Sequence, residues 1–411
     1  MKILLVNDYA APIGGAEVMT FALRDELRRR GHEAKIFASC AQSLNGGSAA
    51  DYACFGTTSR YRTLLQTANP WAFWRLRQVL AEFRPDIVHV KMFLTQLSPL
   101  ILPLLSNVPA LYHVVWYRPV CPTGTKMLPD KSPCRVQAGA ACYRNGCLPL
   151  RDWLPLMLQM KMWRSWRGVF NRVVANSEAT REQLVAGGFD GVEVVWNGVP
   201  EVPSRPYLPA TPTVVFAGRL VSEKGADVLV RAFAQVVWHI PQARLLLAGD
   251  GPERGRLQAL IDSLNLSSHI LMLGHISADE LERQFATAWV QAVPSRWAEP
   301  FGLSAVEAMM RGTAVVASSS GGLAEIVRDG ETGFLVVPGD ADALAEALLN
   351  ILVDRELAER MGKAGREVAL QHFSQTTFVD RFLHLYETTL SAHRVSTETT
   401  LKEDDGDDEI H

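Results

Sequence analysis

The sequence predicts an α/β fold of two doubly wound parallel-sheet domains that face each other across a cleft. Three observations carry that expectation. Short β-branched runs alternate with amphipathic stretches from residue 2 onward, and the same grammar restarts at residue 213. Between the halves, "NGVPEVPSRPYLPATPT" (197–213) holds five prolines in seventeen residues and has no periodicity, so it reads as a linker. The chain of 411 residues is long enough for two cores, and 48% apolar with 21% charged residues is a globular composition.

In the first half, "KILLVN" (2–7) reads as a strand that leads through "DYAAPIGGAE" into "VMTFALRDELRRRGH", whose apolar spacing of three and four predicts a helix closed by Gly31. "KIFAS" (35–39), "DIVHV" (86–90), "ALYHVV" (110–115) and "RVVANS" (172–177) follow as buried strands. In the second half the strands are "TVVFAGR" (213–219), "ARLLLAG" (243–249), "ILMLG" (270–274), "WVQAVPS" (289–295), "TAVVASS" (313–319) and "GFLVV" (333–337). Loops after such strands converge on the cleft, so chemistry is expected there.

Charge divides with the halves. Residues 1–200 hold 23 Lys and Arg against 14 Asp and Glu, and the remainder holds 18 against 30. A basic first half predicts an anionic partner: a phospholipid surface, a lipid phosphate or a nucleic acid. The segment "LRDWLPLMLQMKMWRSWRGVFNR" (150–172) interleaves Trp153, Trp163 and Trp166 with Lys161, Arg164 and Arg167. It reads either as an amphipathic helix on an anionic interface or as a core-facing helix with its basic residues in water. The tail "TETTLKEDDGDDEIH" (397–411) is acidic and poor in apolar residues, and residues 393–411 are expected to be disordered. The start "MKILLVNDYA" does not resemble a secretory leader, and "LSPLILPLL" (97–105) is about half of what spans a bilayer. A cytoplasmic protein is expected, in one reading peripheral on the inner face of the cytoplasmic membrane.

Because the start does not resemble a secretory leader, the six cysteines are not expected to form a disulfide framework, but Cys121, Cys134, Cys142 and Cys147 share one Gly/Pro-rich stretch. Cys142 and Cys147 form a single C-x4-C pair with no second pair beside it, which leaves ordinary reduced thiols or a zinc or redox cluster open.

Three loops hold residues suited to phosphate and sugar. In "IGGAE" (13–17), Gly14 and Gly15 let a ligand approach backbone N–H groups at a helix start. In "GRLVSEKGAD" (218–227), Arg219 and Lys224 can converge on one anion, although Lys224 precedes the glycine and so breaks the P-loop pattern. In "SRWAEPFGLSAVEAM" (295–309), Pro300 predicts a loop position for Glu299, and "GLSAVEAMM" predicts a helix with Glu307 one to two turns in. Carboxylates so offset suit hydroxyls at separate points of one ligand better than a shared proton or metal.

These pieces, with "YHVVWYRPVCPTG" (112–124), "ANSEATREQL" (175–184), "WNGV" (196–199), "GDGPER" (249–254) and "SSSGGLAEIVRDGETGFLVVPGD" (318–340), resemble in residue type and order the family 4 retaining glycosyltransferases of GT-B fold, over residues 2–390. The resemblance implies two Rossmann-like domains: residues 1–200 binding the acceptor, residues 201–372 binding the nucleotide sugar, and a helix over 373–392 returning to the first domain. It implies that Arg219 and Lys224 bind the donor diphosphate, that Gly14 and Gly15 approach it from the other domain, and that Glu307 accepts from the ribose. Glu299, with backbone amides at Phe301, Gly302 and Leu303, would hold the donor sugar, and His113 would contact the transferred sugar. His113, Glu299, Arg219 and Lys224 are thus the expected catalytic set, working without metal or cofactor.

The implied reaction moves a sugar, with retention, from a UDP or GDP donor to a glycan or lipid-linked acceptor in cell-surface glycan synthesis, without nucleic acid. Three departures mark the chain: Val114 where Asp is frequent, Ala324 where Pro is common, and Arg296-Trp297 in a variable loop. A non-catalytic GT-B protein is the alternative reading. An NAD-dependent oxidoreductase is disfavoured because "GDGPERG" spaces its glycines wrongly for a dinucleotide fingerprint.

Overall fold

A computed structural model describes residues 1–42 and 49–404, with side chains as far as residue 394. The first domain runs β1 (Lys2–Tyr9), α1 (Gly15–Arg29), β2 (Glu33–Ser39), β3 (Tyr52–Cys54), α2 (Arg62–Thr67), α3 (Pro70–Phe83), β4 (Ile87–Val90), β5 (Ala110–Val114), α4 (Ala140–Arg144), α5 (Leu150–Trp166), β6 (Arg172–Ala175), α6 (Glu178–Ala186) and β7 (Val192–Val194). The second runs β8 (Thr213–Ala217), α7 (Ala226–His239), β9 (Arg244–Ala248), α8 (Arg254–Ser263), β10 (Ile270–Gly274), α9 (Ala278–Phe285), β11 (Val290–Val293), α10 (Leu303–Arg311), β12 (Ala314–Ser318), α11 (Leu323–Ile326), β13 (Gly333–Val336), α12 (Ala341–Leu352) and α13 (Arg355–His372). A last helix, α14 (Gln375–Asp404), closes the chain.

Both sheets are wholly parallel. Their orders are β3-β2-β1-β4-β5-β6-β7 and β10-β9-β8-β11-β12-β13. Strand order reverses beside β1 in the first sheet and beside β8 in the second, and a crevice opens at the strands' C-terminal ends at such points. The loops with Gly14 and Gly15, Arg219 and Lys224, and Glu299 follow β1, β8 and β11. They therefore stand at the two switch points.

Alternation along each strand fills two cores per sheet. In β1, Leu4 and Val6 join the layer under α3 and α5, while Ile3 and Leu5 join the layer under α1 and α14. α14 lays Phe378, Val379, Phe382, Leu385 and Tyr386 into that second layer, so the C-terminal helix is built into the first domain's core. The helix continues through residues 393–404, where disorder was expected. Residues 405–411 of the acidic tail lie outside the described residues.

The proline-rich junction is irregular but anchored: Arg205 pairs with Glu359 at 2.9 Å and donates to the Gly312 carbonyl. In α5, Trp163 is fully buried and donates to the Pro119 carbonyl, so it is not the interfacial anchor that the sequence pattern permits. The outward apolar residues of α5 are Leu150, Leu154 and Leu158, spaced by four. No helix among the described residues is long and apolar enough to cross a membrane.

Candidate active site

α1 and α10 both start on glycine without a side-chain cap: Gly14 precedes α1 and Gly302, at φ 127°, precedes α10. The buried Glu17 carboxylate already stands at the α1 start, against Gly14, whereas the first-turn N–H groups of α10, at the positive end of its dipole, suit an anion. The two helix starts meet across the domains, since a Cβ on Gly15 would stand 2.8 Å from Leu303 Cδ1. A larger residue at position 15 requires the Leu303 side chain to move aside.

From the other switch point comes a loop in which Gly225 adopts φ 67° and lets Lys224 turn back toward β11; a Cβ on Gly225 would fall 2.0 Å from the Pro294 carbonyl oxygen. Lys224 Nζ donates to Glu299 Oε1 at 2.7 Å, and Ser295 Oγ donates to the same oxygen at 2.5 Å. Burial alone would push the Glu299 carboxyl up, but Lys224 and the hydrogen bonds from Lys224 and Ser295 outweigh it and hold the group below the usual range. Arg219 is exposed and makes no ion pair among the described residues. Next to the pair, Trp297 packs edge-on against Tyr117 of the first domain, with Lys224 Nζ 5.7 Å from its ring centroid.

Glu299 lies in the loop and is nearly buried, whereas Glu307 lies on α10 with its side chain open to solvent. Crowding by the surrounding protein pushes the Glu307 carboxyl up, with Arg311 opposing the shift and Glu282 adding to it. The carboxylates therefore occupy different environments, one paired and one free. Phe301 contributes only backbone, because its ring is buried among Val306, Leu323 and Phe373.

His113 does not join this site. It lies within β5 on the face that also carries Leu111, wholly buried, with ring centroids of Phe382 and His89 at 4.8 and 5.4 Å. Among the described residues neither ring nitrogen has a hydrogen-bond partner. Strand alternation turns the side chain under α14 and away from the cleft, so the expected sugar contact is corrected to a neutral core histidine; burial holds its pKa well below the ordinary value.

Two residues escaped the sequence reading. Lys91, directly after β4 at the first switch point, is buried, donates to the Ala16 carbonyl at 3.1 Å, and has its pKa lowered to about 7 by burial. Its signal was a lysine ending an apolar strand, "DIVHVK". Glu325, in "GGLAE", accepts from the Glu178 and Ala179 N–H groups at 2.8 and 2.7 Å and so caps α6 from the opposite domain. Ser177 and Thr180 of the first domain donate to the Pro300 carbonyl beside Glu299. Among the described residues Cys121, Cys134, Cys142 and Cys147 form no disulfide, and no three His, Cys, Asp or Glu side chains are placed to hold a metal ion.

Residues 13–201 match the family model Glycosyltransferase Family 4, and residues 208–368 match Glycosyl transferases group 1. A phosphatidyl-myo-inositol mannosyltransferase of Mycobacterium leprae is 34% identical over 57% of this chain and 64% of its own. A GDP-mannose-dependent α-(1-6)-phosphatidylinositol monomannoside mannosyltransferase of Mycolicibacterium smegmatis is 37% identical over 40% of this chain and 45% of its own. The matched region thus spans less than two thirds of either relative. A sucrose-phosphate synthase from Thermosynechococcus elongatus has the same fold, with a TM-score of 0.72 and 25% identity over 95% of this chain and 99% of its own.

Proposed function

The chain belongs to glycosyltransferase family 4, with the GT-B fold, and we propose from that premise that it transfers a sugar with retention from a nucleotide diphosphate donor to a lipid-linked or glycan acceptor held by the first domain. One observation carries the reading: two glycine-led helix starts from opposite domains face each other at Gly15 and Leu303, with Lys224 beside Glu299 in the adjoining loops. Such a cluster of donors and cations suits a diphosphate.

On binding, the diphosphate draws Lys224 from Glu299 and meets Arg219 at the rim. Glu299, released, accepts from hydroxyls of the donor sugar, and Glu307 accepts from the ribose. The bond between the anomeric carbon and the leaving phosphate oxygen breaks as the acceptor oxygen bonds to the same face, and the acceptor proton passes to that phosphate oxygen. Arg219, Lys224 and the two helix starts stabilise the negative charge on the departing nucleoside diphosphate, which makes a metal ion unnecessary in this scheme. The GDP-mannose dependence of one relative supports a nucleotide donor, and the inositol lipids in the names of both support a lipid-linked acceptor.

A peripheral contact with an anionic membrane belongs to the same reading. Leu150, Leu154 and Leu158 form an exposed ridge on α5, on a helix that also carries exposed Arg151, Lys161 and Arg164.

A thermal-shift screen of guanosine and uridine diphosphate sugars tests the donor. A ligand at about one hundred times its Kd adds about 2.7 kcal/mol of stability. One donor is expected to raise Tm in the wild type and fail to do so in Lys224→Ala. A shift that survives Lys224→Ala removes the assigned diphosphate site, and wild-type binding without donor turnover, with or without candidate acceptors, indicates a non-catalytic protein.

A further inference from the structure

Between β5 and α5 the chain makes a long excursion, residues 115–149, that carries four of the six cysteines. On one side of it lies a cavity of about 460 Å³ lined by Lys126, Arg135, Arg164 and Arg167, with Gln183 and Gly187 at the end of α6. Among the described residues no acidic side chain lines it. Lys126 and Arg164 donate to the Val136 and Ala138 carbonyls at 3.3 and 3.2 Å, which orients the two groups without neutralising either. None of the four cations has a carboxylate within 4 Å among the described residues. The C-terminal carbonyls of α6 offset about half a charge, against four positive charges. A strongly positive, roomy and uncompensated cavity of this kind concentrates anions.

A second cavity of about 450 Å³ adjoins it, sharing Ala138 and Arg164. Its walls are chiefly apolar, from Trp153, Met157 and Met160, with Lys161 at the edge. Trp153 Nε1 donates to the Gly139 carbonyl at 3.0 Å, which fixes the indole as a wall. An apolar trough opening from a cationic cavity at a shared arginine fits one class of ligand: a phosphate ester with a hydrocarbon chain.

The opposite side of the excursion reaches the donor loop, because Thr123, Thr125 and Lys131 line a further cavity of about 410 Å³ together with Ser222 and Glu223. The excursion therefore borders both the cationic cavity and the loop that carries Lys224. We propose that the two joined cavities form a phosphate-and-chain site that anchors an amphipathic acceptor through its phosphate, an assignment that rests on the glycosyl-transfer reading above for its role but not for its binding.

Calorimetric titration of the full chain with dihexanoyl phosphatidic acid, below its micellar concentration, and with inorganic phosphate tests it. The chain-bearing phosphate is expected to bind at least about tenfold tighter than inorganic phosphate. Arg135→Ala and Arg164→Ala, both at exposed positions, are expected to weaken each probe several-fold, while Trp153→Ala weakens only the chain-bearing one. A cooperative thermal transition near the wild-type Tm in every variant checks that it is folded, independently of donor binding. Equal affinity for inorganic phosphate identifies a free-phosphate site and overturns the proposal, as does binding unchanged by the two arginine variants together. Donor turnover without phosphate binding overturns this site alone; phosphate binding without donor turnover overturns glycosyl transfer and leaves the site standing.

Discussion

Glu299 and His113 are both nearly buried, yet their surroundings give them opposite uses. Glu299 has Lys224 and Ser295 on one carboxylate oxygen and stays charged; its depressed pKa contributes stability above the ordinary value of 4.5 that is lost as pH falls through the lower folded value. His113 has no partner at either nitrogen among the described residues and stays neutral. A buried polar group without a partner is a cost, so an apolar residue of similar volume relieves it. His113→Leu is therefore expected to keep or raise Tm and to leave donor turnover within about twofold. A loss of turnover beyond about a hundredfold, in a protein that is still folded, would return His113 to the site. The sequence could not make this distinction, because its pattern places a histidine near a strand end without saying which face of β5 it takes.

The scale of elements tells a similar story. Most strands were readable because parallel sheets bury both faces and leave continuous β-branched runs. β3 and β7 were not, because each has three residues and lies at an outer edge of the first sheet, where "YAC" and "VEV" carry too little pattern. In α5 the composition was legible but its orientation was not: Trp163 went to the core and the leucine ridge faced outward. Flotation with anionic vesicles is expected to carry the wild-type protein and to lose most of it in Leu154→Glu, which places a charge in the ridge. Equal flotation of that variant would remove α5 as the membrane face.

Across the whole molecule, the two domains are joined by contacts that no local pattern announces. Glu325 reaches from the second domain to cap α6 of the first, and also receives Trp196 Nε1 at 3.3 Å. A charge-assisted cap of this kind contributes about 1–3 kcal/mol. Glu325→Ala is expected to lower stability by about that amount in urea denaturation and to weaken donor binding, since Ser177 and Thr180 at the same helix start hold Pro300 beside Glu299. An unchanged midpoint and donor affinity would show that the cap does not couple the domains.

The sequence by itself determined the two parallel sheets, the linker, and the loops of Gly15, Arg219, Lys224 and Glu299, because apolar period, proline and glycine act locally on the backbone. Tertiary structure alone decided that Gly15 faces Leu303, that Lys224 pairs with Glu299, that His113 turns under α14, and that cations from the excursion and α5 share one cavity. Those outcomes depend on the strand order, on which side chains face each layer and on how the domains meet. These are long-range relations between segments tens to hundreds of residues apart, and no short stretch of sequence encodes them.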